Sequence, residues 1–518
     1  MDTIRMAEPE LTGKEKKYVN RAIDELELSG HSKYVSLFEE KFAQFIGTKY
    51  ALMLPNGTLT LHLALRAMGV DENSEVIVPS QTISSCIYSI SYLNATAVVV
   101  DVDSDTWCMD VKSAVNAISP RTKVIMPTHI YGGIPVRMDE LKQQFNSQLI
   151  YVLEDAAEAL GSEYKGKKVG SLGSAGSFSL FANKNMTCFP AGTKISTPKG
   201  KVNIQDIKVG DAVYSCVNGV QVPYQKLTGY VDVDVVDRVM SRVADEFITF
   251  VLSNGNEISV TGNHEFYVMD KGWIRADNLS VGDELLQLDL RHKTMSIVKI
   301  AEIGGEIFVT QVYNLETHKY HNYFAEDILV HNCGEGGVIT TDNIKLYDAM
   351  RYFRNMAYGP IPETRFWAQD LGYNYRPSSL TSCFALGQLE GIDGLLKRRQ
   401  DIHSWYVKYL SKDYIWQKVD SKDKICWWMN AVLVPQKNGK SRRSEFMNYL
   451  ADNGIESRPT FPPLAQHPYL KKYKVINMGE KNSQYIWENG ILLPSGGEKL
   501  TEDKVIYICK IAYDFLKR

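Results

Sequence analysis

Cys188 and the run His331-Asn332-Cys333 bracket a segment whose two ends carry the chemistry of peptide-bond exchange. The Cys188 thiol can attack the carbonyl of Thr187 and turn that peptide bond into a thioester, and Cys333 can then take over the acyl group. The side-chain amide of Asn332 can close on its own backbone carbonyl as a succinimide, with His331 placed to assist by proton transfer. The segment is thereby released, and an amide re-forms between Thr187 and Cys333. Ends of this kind require one structure nested in another: an insert, 188–332, and a host that reads from 1–187 into 333–518.

The interior of the insert predicts β structure. Phe247-Ile-Thr-Phe-Val-Leu252 and Glu257-Ile-Ser-Val260 flank Ser253-Asn254-Gly255, whose turn chemistry suits positive φ, and together they predict a hairpin. Asp206-Ile-Lys-Val-Gly-Asp211 recurs as Asn278-Leu-Ser-Val-Gly-Asp283, each ahead of an apolar run, which predicts paired β units. Thr261-Gly-Asn-His264 resembles the TxxH motif of inteins, in which the histidine polarises the upstream scissile amide. Val312-Tyr-Asn-Leu-Glu, His321-Asn-Tyr-Phe-Ala and Ile328-Leu-Val-His-Asn332 resemble the C-terminal intein blocks. The resemblance spans the insert and implies a compact all-β Hint fold, with Cys188, Thr261, His264, His331, Asn332 and Cys333 as the splicing residues. The insert is too short for a homing-endonuclease domain, so it is similar to a mini-intein. Asn314 departs from the pattern: many inteins have an aspartate there, and an asparagine cannot act as a base. Taken singly, Cys188 and Cys333 read as ordinary buried thiols; the junction tripeptide, the TxxH block and the repeat carry the reading together.

At 518 residues with 44% apolar content, the chain has material for about three domains. A net charge of −3 and the lack of a long basic block argue against nucleic acid as a main partner. The N-terminus lacks a signal-peptide pattern and no apolar run reaches membrane-spanning length, so a cytoplasmic protein without a membrane partner is expected. The eight cysteines show no CxxC spacing, so neither a metal site nor a disulfide framework is indicated.

In the host, Glu75-Val-Ile-Val-Pro79, Ala97-Val-Val-Val-Asp101, Lys123-Val-Ile-Met-Pro127 and Leu149-Ile-Tyr-Val-Leu153 alternate with helical stretches, the rhythm of a largely parallel sheet. Functional groups in such sheets gather beyond the carboxyl ends of the strands, where Asp155 and the loops after Pro79 and Pro127 fall. Asn56-Gly57-Thr58 precedes the helical run Leu59-Thr-Leu-His-Leu-Ala-Leu-Arg-Ala-Met68. The tripeptide reads either as an anion site at a helix start or as an ordinary N-cap turn.

Joining Thr187 to Cys333 gives Phe178-Ser-Leu-Phe-Ala-Asn-Lys184-Asn-Met-Thr187 followed by Cys333-Gly-Glu-Gly-Gly337. This resembles the cofactor-lysine motif of the DegT/DnrJ/EryC1/StrS family of sugar aminotransferases, and the resemblance spans nearly all of the host. It implies the pyridoxal-phosphate type I fold: an α/β structure with a mixed, largely parallel sheet flanked by helices and a smaller C-terminal α/β domain. The implied organisation is 1–187 and 333–395 for the large domain, 188–332 for the insert and 396–518 for the small domain. Lys184 would form the Schiff base with pyridoxal 5'-phosphate and shuttle the proton. Glu154-Asp155-Ala-Ala-Glu158 resembles the family's aspartate motif, with Asp155 as partner of the pyridinium nitrogen and Glu158 near the cofactor hydroxyl. Gly57, Thr58 and Ser179 match the phosphate contacts, and Asn374, in Gly372-Tyr-Asn-Tyr-Arg376, matches an asparagine that reaches the neighbouring subunit's phosphate, which implies a homodimer.

Two positions differ from relatives. Ile83 stands where an aromatic residue often stacks on the cofactor, and Ala465 stands where a histidine is common. Within the family the text is most like enzymes acting on GDP-4-keto-6-deoxymannose; Tyr164-Lys-Gly-Lys-Lys-Val-Gly170 and Val505-Ile-Tyr-Ile-Cys509 are part of that likeness. The implied reaction transfers an amino group, with glutamate as donor, to a nucleotide-linked keto-sugar. A dehydratase using the same cofactor and a non-catalytic regulator are the competing readings; retention of Lys184 favours amino transfer over dehydration.

Overall fold

The computed structural model describes the chain apart from residues 1–2, 8–11, 26, 28, 135–137, 146–149, 181–188, 191–193, 199, 204–206, 209, 217–226, 229–230, 255, 261–264, 269–271, 277–278, 290–293, 318–321, 326–327, 332–335, 359–366 and 498. It divides into two compact units, one of Met1–Asn185 with Glu335–Arg518 and one of Met186–Gly334.

The first unit is built on an eight-stranded sheet. Its strands in chain order are β1 (Tyr50–Leu54), β2 (Glu75–Pro79), β3 (Thr96–Val100), β4 (Thr122–Ile125), β5 (Tyr151–Asp155), β6 (Ala175–Ser179), β7 (Gly337–Thr341) and β8 (Val475–Asn477). They lie in the order β1-β7-β6-β5-β4-β2-β3-β8. All neighbours from β6 to β8 along that path run parallel, while β7 is antiparallel to both β1 and β6.

A sheet covered on both faces needs continuous apolar strands, and the two-residue period divides their side chains between two cores. Met53, Ile77, Val98, Ile125, Val152, Phe178 and Val338 enter one core; Leu52, Val76, Val99, Val124, Leu153 and Ile339 enter the other. The parallel strands expected from sequence are present. The last of them is displaced: Tyr151–Asp155 replaces the expected 149–153, so Asp155 itself ends the strand.

Beyond this sheet, the strands Asn430–Leu433 and Gly490–Leu493 form the centre of a four-stranded antiparallel sheet with Ile415–Trp416 and Arg458–Pro459. Helices Ile392–Tyr409, Arg443–Asp452 and Glu502–Leu516 supply Tyr406, Phe446, Leu450, Ile508 and Phe515 to its core. Ile4 joins that core and exchanges backbone hydrogen bonds with Gly454 and Glu456.

The described elements of the second unit are β strands, dominated by Val231–Leu252 and Thr294–Thr317, which pair antiparallel along most of their length. The expected hairpin is present, with Ile248 opposite Val260 and Val251 opposite Glu257. The sequence repeat is also a structural one. Asp211 Oδ2 accepts from Lys208 N at 2.8 Å, and Asp283 Oδ2 accepts from Ser280 N at 3.0 Å. Gly210 N donates to Val236 O and Gly282 N to Ile300 O, both at 2.8 Å, and both glycines have positive φ, 90° and 97°. Each Gly-Asp turn therefore launches a strand, Ala212–Cys216 or Glu284–Asp289, against a long strand. A side chain at either glycine would be strained, since that backbone region disfavours L residues.

Among the described residues, no helix is long and apolar enough to cross a membrane, and no group of three or more His, Cys, Asp or Glu side chains could hold a metal ion.

Candidate active site

Asp155, the last residue of β5, lies at the carboxyl end of the parallel sheet and is 2% exposed. Its backbone continues the sheet into the neighbouring loop: Asp155 N donates to Pro127 O and His129 N donates to Asp155 O, both at 2.9 Å. Its carboxylate is held on both sides, Oδ1 by Ala157 N at 3.1 Å and Oδ2 by Cys86 Sγ at 3.1 Å. Burial, together with the charge of Asp155, pushes the Cys86 thiol well above its ordinary pKa, so the sulfur stays protonated and donates.

The preceding residue has a different task. Glu154 is fully buried and accepts four bonds, from Leu172 N at 2.7 Å, Gly173 N at 2.6 Å, Gly170 N at 2.9 Å and His129 Nε2 at 2.9 Å. It ties the 170–173 turn and the loop after β4 to the strand that presents Asp155. Glu154→Ala leaves these donors without an acceptor and is expected to cost about 3–5 kcal/mol of host stability, read as a lower unfolding midpoint in urea.

Glu158 is buried and accepts from Tyr131 N at 2.7 Å. Tyr131 has φ 57°, and its hydroxyl accepts from Phe461 N at 2.9 Å, with the two rings stacked. Burial, helped by Glu158, pushes the Tyr131 phenol well up, which keeps its proton in place. The Gln81 carboxamide, 1% exposed, lies beside Tyr131 with neither amide atom in a well-formed hydrogen bond.

The third part of the site is the start of helix α1 (Gly57–Ala67). Asn56 is the N-cap and accepts from Leu59 N at 3.0 Å, leaving the earlier N–H groups at the helix start to an outside acceptor. Thr58 Oγ1 donates to Ser85 Oγ at 2.9 Å, and Thr60 Oγ1 meets Ser177 Oγ at 2.6 Å. Ser177 lies opposite Asp155 in the β5–β6 register, so the helix start and the aspartate are joined through one strand. Gly57 is pressed against Ser179: a Cβ there would fall 2.7 Å from the Ser179 Cβ. Gly337 closes the other side, where a Cβ would fall 2.5 Å from Asn56 O. A helix N-terminus, a hydroxyl and no obstructing side chain are geometry that a phosphate fits. Of the two sequence readings of Asn56-Gly57-Thr58 the structure shows the N-cap, and that arrangement is compatible with an anion at the helix start.

The sequence-derived residues Gly57, Thr58, Asp155, Glu158 and Ser179 thus fall on α1, β5 and β6 and the turn that follows β5. Asn374 is exposed, in an isolated bridge with Asn355. His331 ends the strand Ile328–His331, opposite Asn322. Lys184, Cys188, Thr261, His264, Asn332 and Cys333 lie outside the described residues. Ile83 is 43% exposed, and Ala465 N donates to Glu480 Oε1 at 3.0 Å. Sequence reasoning missed Cys86, Gln81 and the Glu154–His129 pair. Their only local signal is position, in or beside the strand-end loops after Pro79 and Pro127.

The model of the DegT/DnrJ/EryC1/StrS aminotransferase family matches residues 9–201 and 311–512, and the model of the pretoxin HINT domain matches 194–334. A GDP-perosamine synthase of Caulobacter vibrioides is 43% identical over 464 residues, covering 89% of this chain and 85% of the relative. One from Escherichia coli O157:H7 is 28% identical over 517 residues, with 99% of each chain covered. Among solved structures, the E. coli GDP-4-keto-6-deoxy-D-mannose-3-dehydratase with bound hydrated PLP superposes with a TM-score of 0.65 at 17% identity, covering 99% of this chain and 100% of that one. This likeness shows a shared fold, with the same large mixed sheet. A HINT domain interrupts the host between β6 and β7, and the chain belongs to the DegT/DnrJ/EryC1/StrS aminotransferase family.

Proposed function

We propose that the chain is a precursor that excises residues 188–332, joins Thr187 to Cys333, and thereby yields a pyridoxal-phosphate-dependent nucleotide-sugar aminotransferase. The observation that carries this reading is the pairing of the host's two flanks. β6 and β7 are antiparallel neighbours with Ser179 opposite Gly337, and Leu180 N donates to Gly336 O at 2.7 Å. Strands in that relation are what a short direct connection would produce, so the host fold accommodates the joined chain.

Pyridoxal phosphate, when bound, supplies an aldehyde that bonds covalently to amines and a ring that accepts the electron pair left on the substrate carbon. The buried carboxylate of Asp155 fits a protonated ring nitrogen, and the Gly57–Ser179 cradle fits the phosphate. Glu158, fixed by Tyr131 N, is the candidate neighbour of the ring hydroxyl. Lys184, four residues ahead of the insert, is the base that takes the proton from the substrate carbon and returns it as the acid. Asn374, exposed on this chain, would complete the site of a second subunit in a homodimer.

The amino donor we propose is glutamate, and the acceptor a 4-keto-6-deoxy sugar nucleotide such as GDP-4-keto-6-deoxymannose; the relatives named GDP-perosamine synthases support a nucleotide-linked sugar as substrate. The excised enzyme should change its cofactor absorbance with glutamate and return to the starting spectrum with the keto-sugar. A dehydratase would consume the sugar without the second change returning amine to product, and a regulator would show neither. Gly57→Val, which drives a side chain into Ser179, is expected to weaken cofactor binding by at least about tenfold, measured by equilibrium dialysis.

A further inference from the structure

Three segments that are distant in sequence meet at the sulfur of Cys86. Cys86 is the second residue of helix α2 (Ser85–Ser91) and is fully buried. Its Sγ lies 3.1 Å from Asp155 Oδ2 and 3.4 Å from Thr82 Oγ1, and the Thr128 hydroxyl lies beside it. Thr82 and Thr128 lie three residues beyond the ends of β2 and β4, Asp155 ends β5, and all are buried. A threonine hydroxyl can donate to the sulfur or accept from it, but the carboxylate only accepts and is the stronger acceptor, so the S–H is directed to Asp155 Oδ2 and the Thr82 hydroxyl is left to donate to the sulfur.

We propose that Cys86 is a positioning residue for Asp155, its thiol fixing the plane of the carboxylate so that one oxygen is aimed at the cofactor's ring nitrogen. This rests on the reading of Asp155 as the partner of that nitrogen. A carboxylate held only through Oδ1, by Ala157 N, could still turn about its last torsion; a second donor at Oδ2 removes that freedom. The choice of a thiol is chemically apt. S–H is a weak donor, so it orients the carboxylate while withdrawing little of the negative charge that keeps the ring nitrogen protonated.

The test uses the enzyme recovered after expression of the whole chain, loaded with pyridoxal phosphate labelled with 15N in the ring. In the unaltered enzyme the ring-nitrogen resonance should report a protonated ring across about pH 6 to 9. Cys86→Ala, and Cys86→Val as a second variant that fills the space without donating, should shift the loss of that proton into the range and lower kcat about tenfold with little change in KM, the size of effect expected for one hydrogen bond to a charged group. Cys86→Ser, which still donates, should restore both. Asp155→Ala serves as the reference. If it moves the resonance while Cys86→Ala and Cys86→Val leave it unchanged, the role of Cys86 is refuted and that of Asp155 stands. If Asp155→Ala also leaves it unchanged, or no cofactor binds, the Asp155 reading fails and the inference with it.

Discussion

Expression of the whole chain is expected to yield two products: a ligated host in which Thr187 is bonded to Cys333, and the free segment 188–332. The chemistry requires each junction residue for a separate step. Cys188 must break the Thr187 amide, so Cys188→Ala should abolish ligation. Asn332 must release the segment, so Asn332→Ala should leave the segment attached at its C-terminal side. Both effects are all-or-none because the side chain lost is the reacting group itself. Intact mass of the purified products reads them directly, and an unaltered chain that persists as full-length precursor would sink the splicing reading. The host contributes geometry to this step. With Leu180 bonded to Gly336 and β6 paired to β7, folding of the host brings both junction flanks to the same end of two neighbouring strands and lowers the entropy lost in joining them. His331 and Asn332 close the insert, and the absence of an aspartate at 314 bears on the rate of splicing, which the same mass measurement follows over time.

Lys184→Ala should leave splicing largely intact and remove amino transfer, lowering kcat by at least about a thousandfold, the range lost when a positioned acid-base group is deleted. The partition between the two activities is the informative part. Lys184 lies only four residues before Cys188, yet the proposed junction chemistry gives it no role, whereas the proposed sugar reaction requires it. A precursor blocked by Cys188→Ala together with Asn332→Ala should be comparably inactive in amino transfer, because the insert begins four residues after the lysine and interrupts its motif. Turnover with glutamate and GDP-4-keto-6-deoxymannose checks both statements. A Lys184→Ala enzyme within tenfold of the unaltered one would assign the proton transfer to another group.

Much of this architecture is legible in the sequence. The apolar runs beginning at Glu75, Ala97 and Lys123 predicted parallel strands, because strands buried on both faces leave a continuous hydrophobic record. The run at Leu149 showed the limit of that signal: the strand extends two residues further, to Asp155, because a buried acid is invisible to a hydrophobic pattern. In the insert, the repeated Val-Gly-Asp predicts paired β units. The structure adds that Asp211 and Asp283 cap the same turn and that Gly210 and Gly282 share a positive φ. That detail follows from the residue types, since aspartate bonds readily to nearby backbone and glycine tolerates the left-handed region.

The junction chemistry, the glycine-opened helix start and the aspartate motif are thus properties of the sequence by itself, because each depends on which groups are neighbours along the chain. What surrounds Asp155 is not of that kind. Cys86 is 69 residues away, and Glu154 gathers His129, Gly170, Leu172 and Gly173 from two different loops. Those contacts exist only after β2, β4, β5 and β6 have taken their parallel register, and a shift of one residue would turn Asp155 to the opposite face of the sheet. Tertiary structure alone decided which oxygen of Asp155 is held by a thiol, because strand order and register, unlike residue type, are set by packing across the whole sheet.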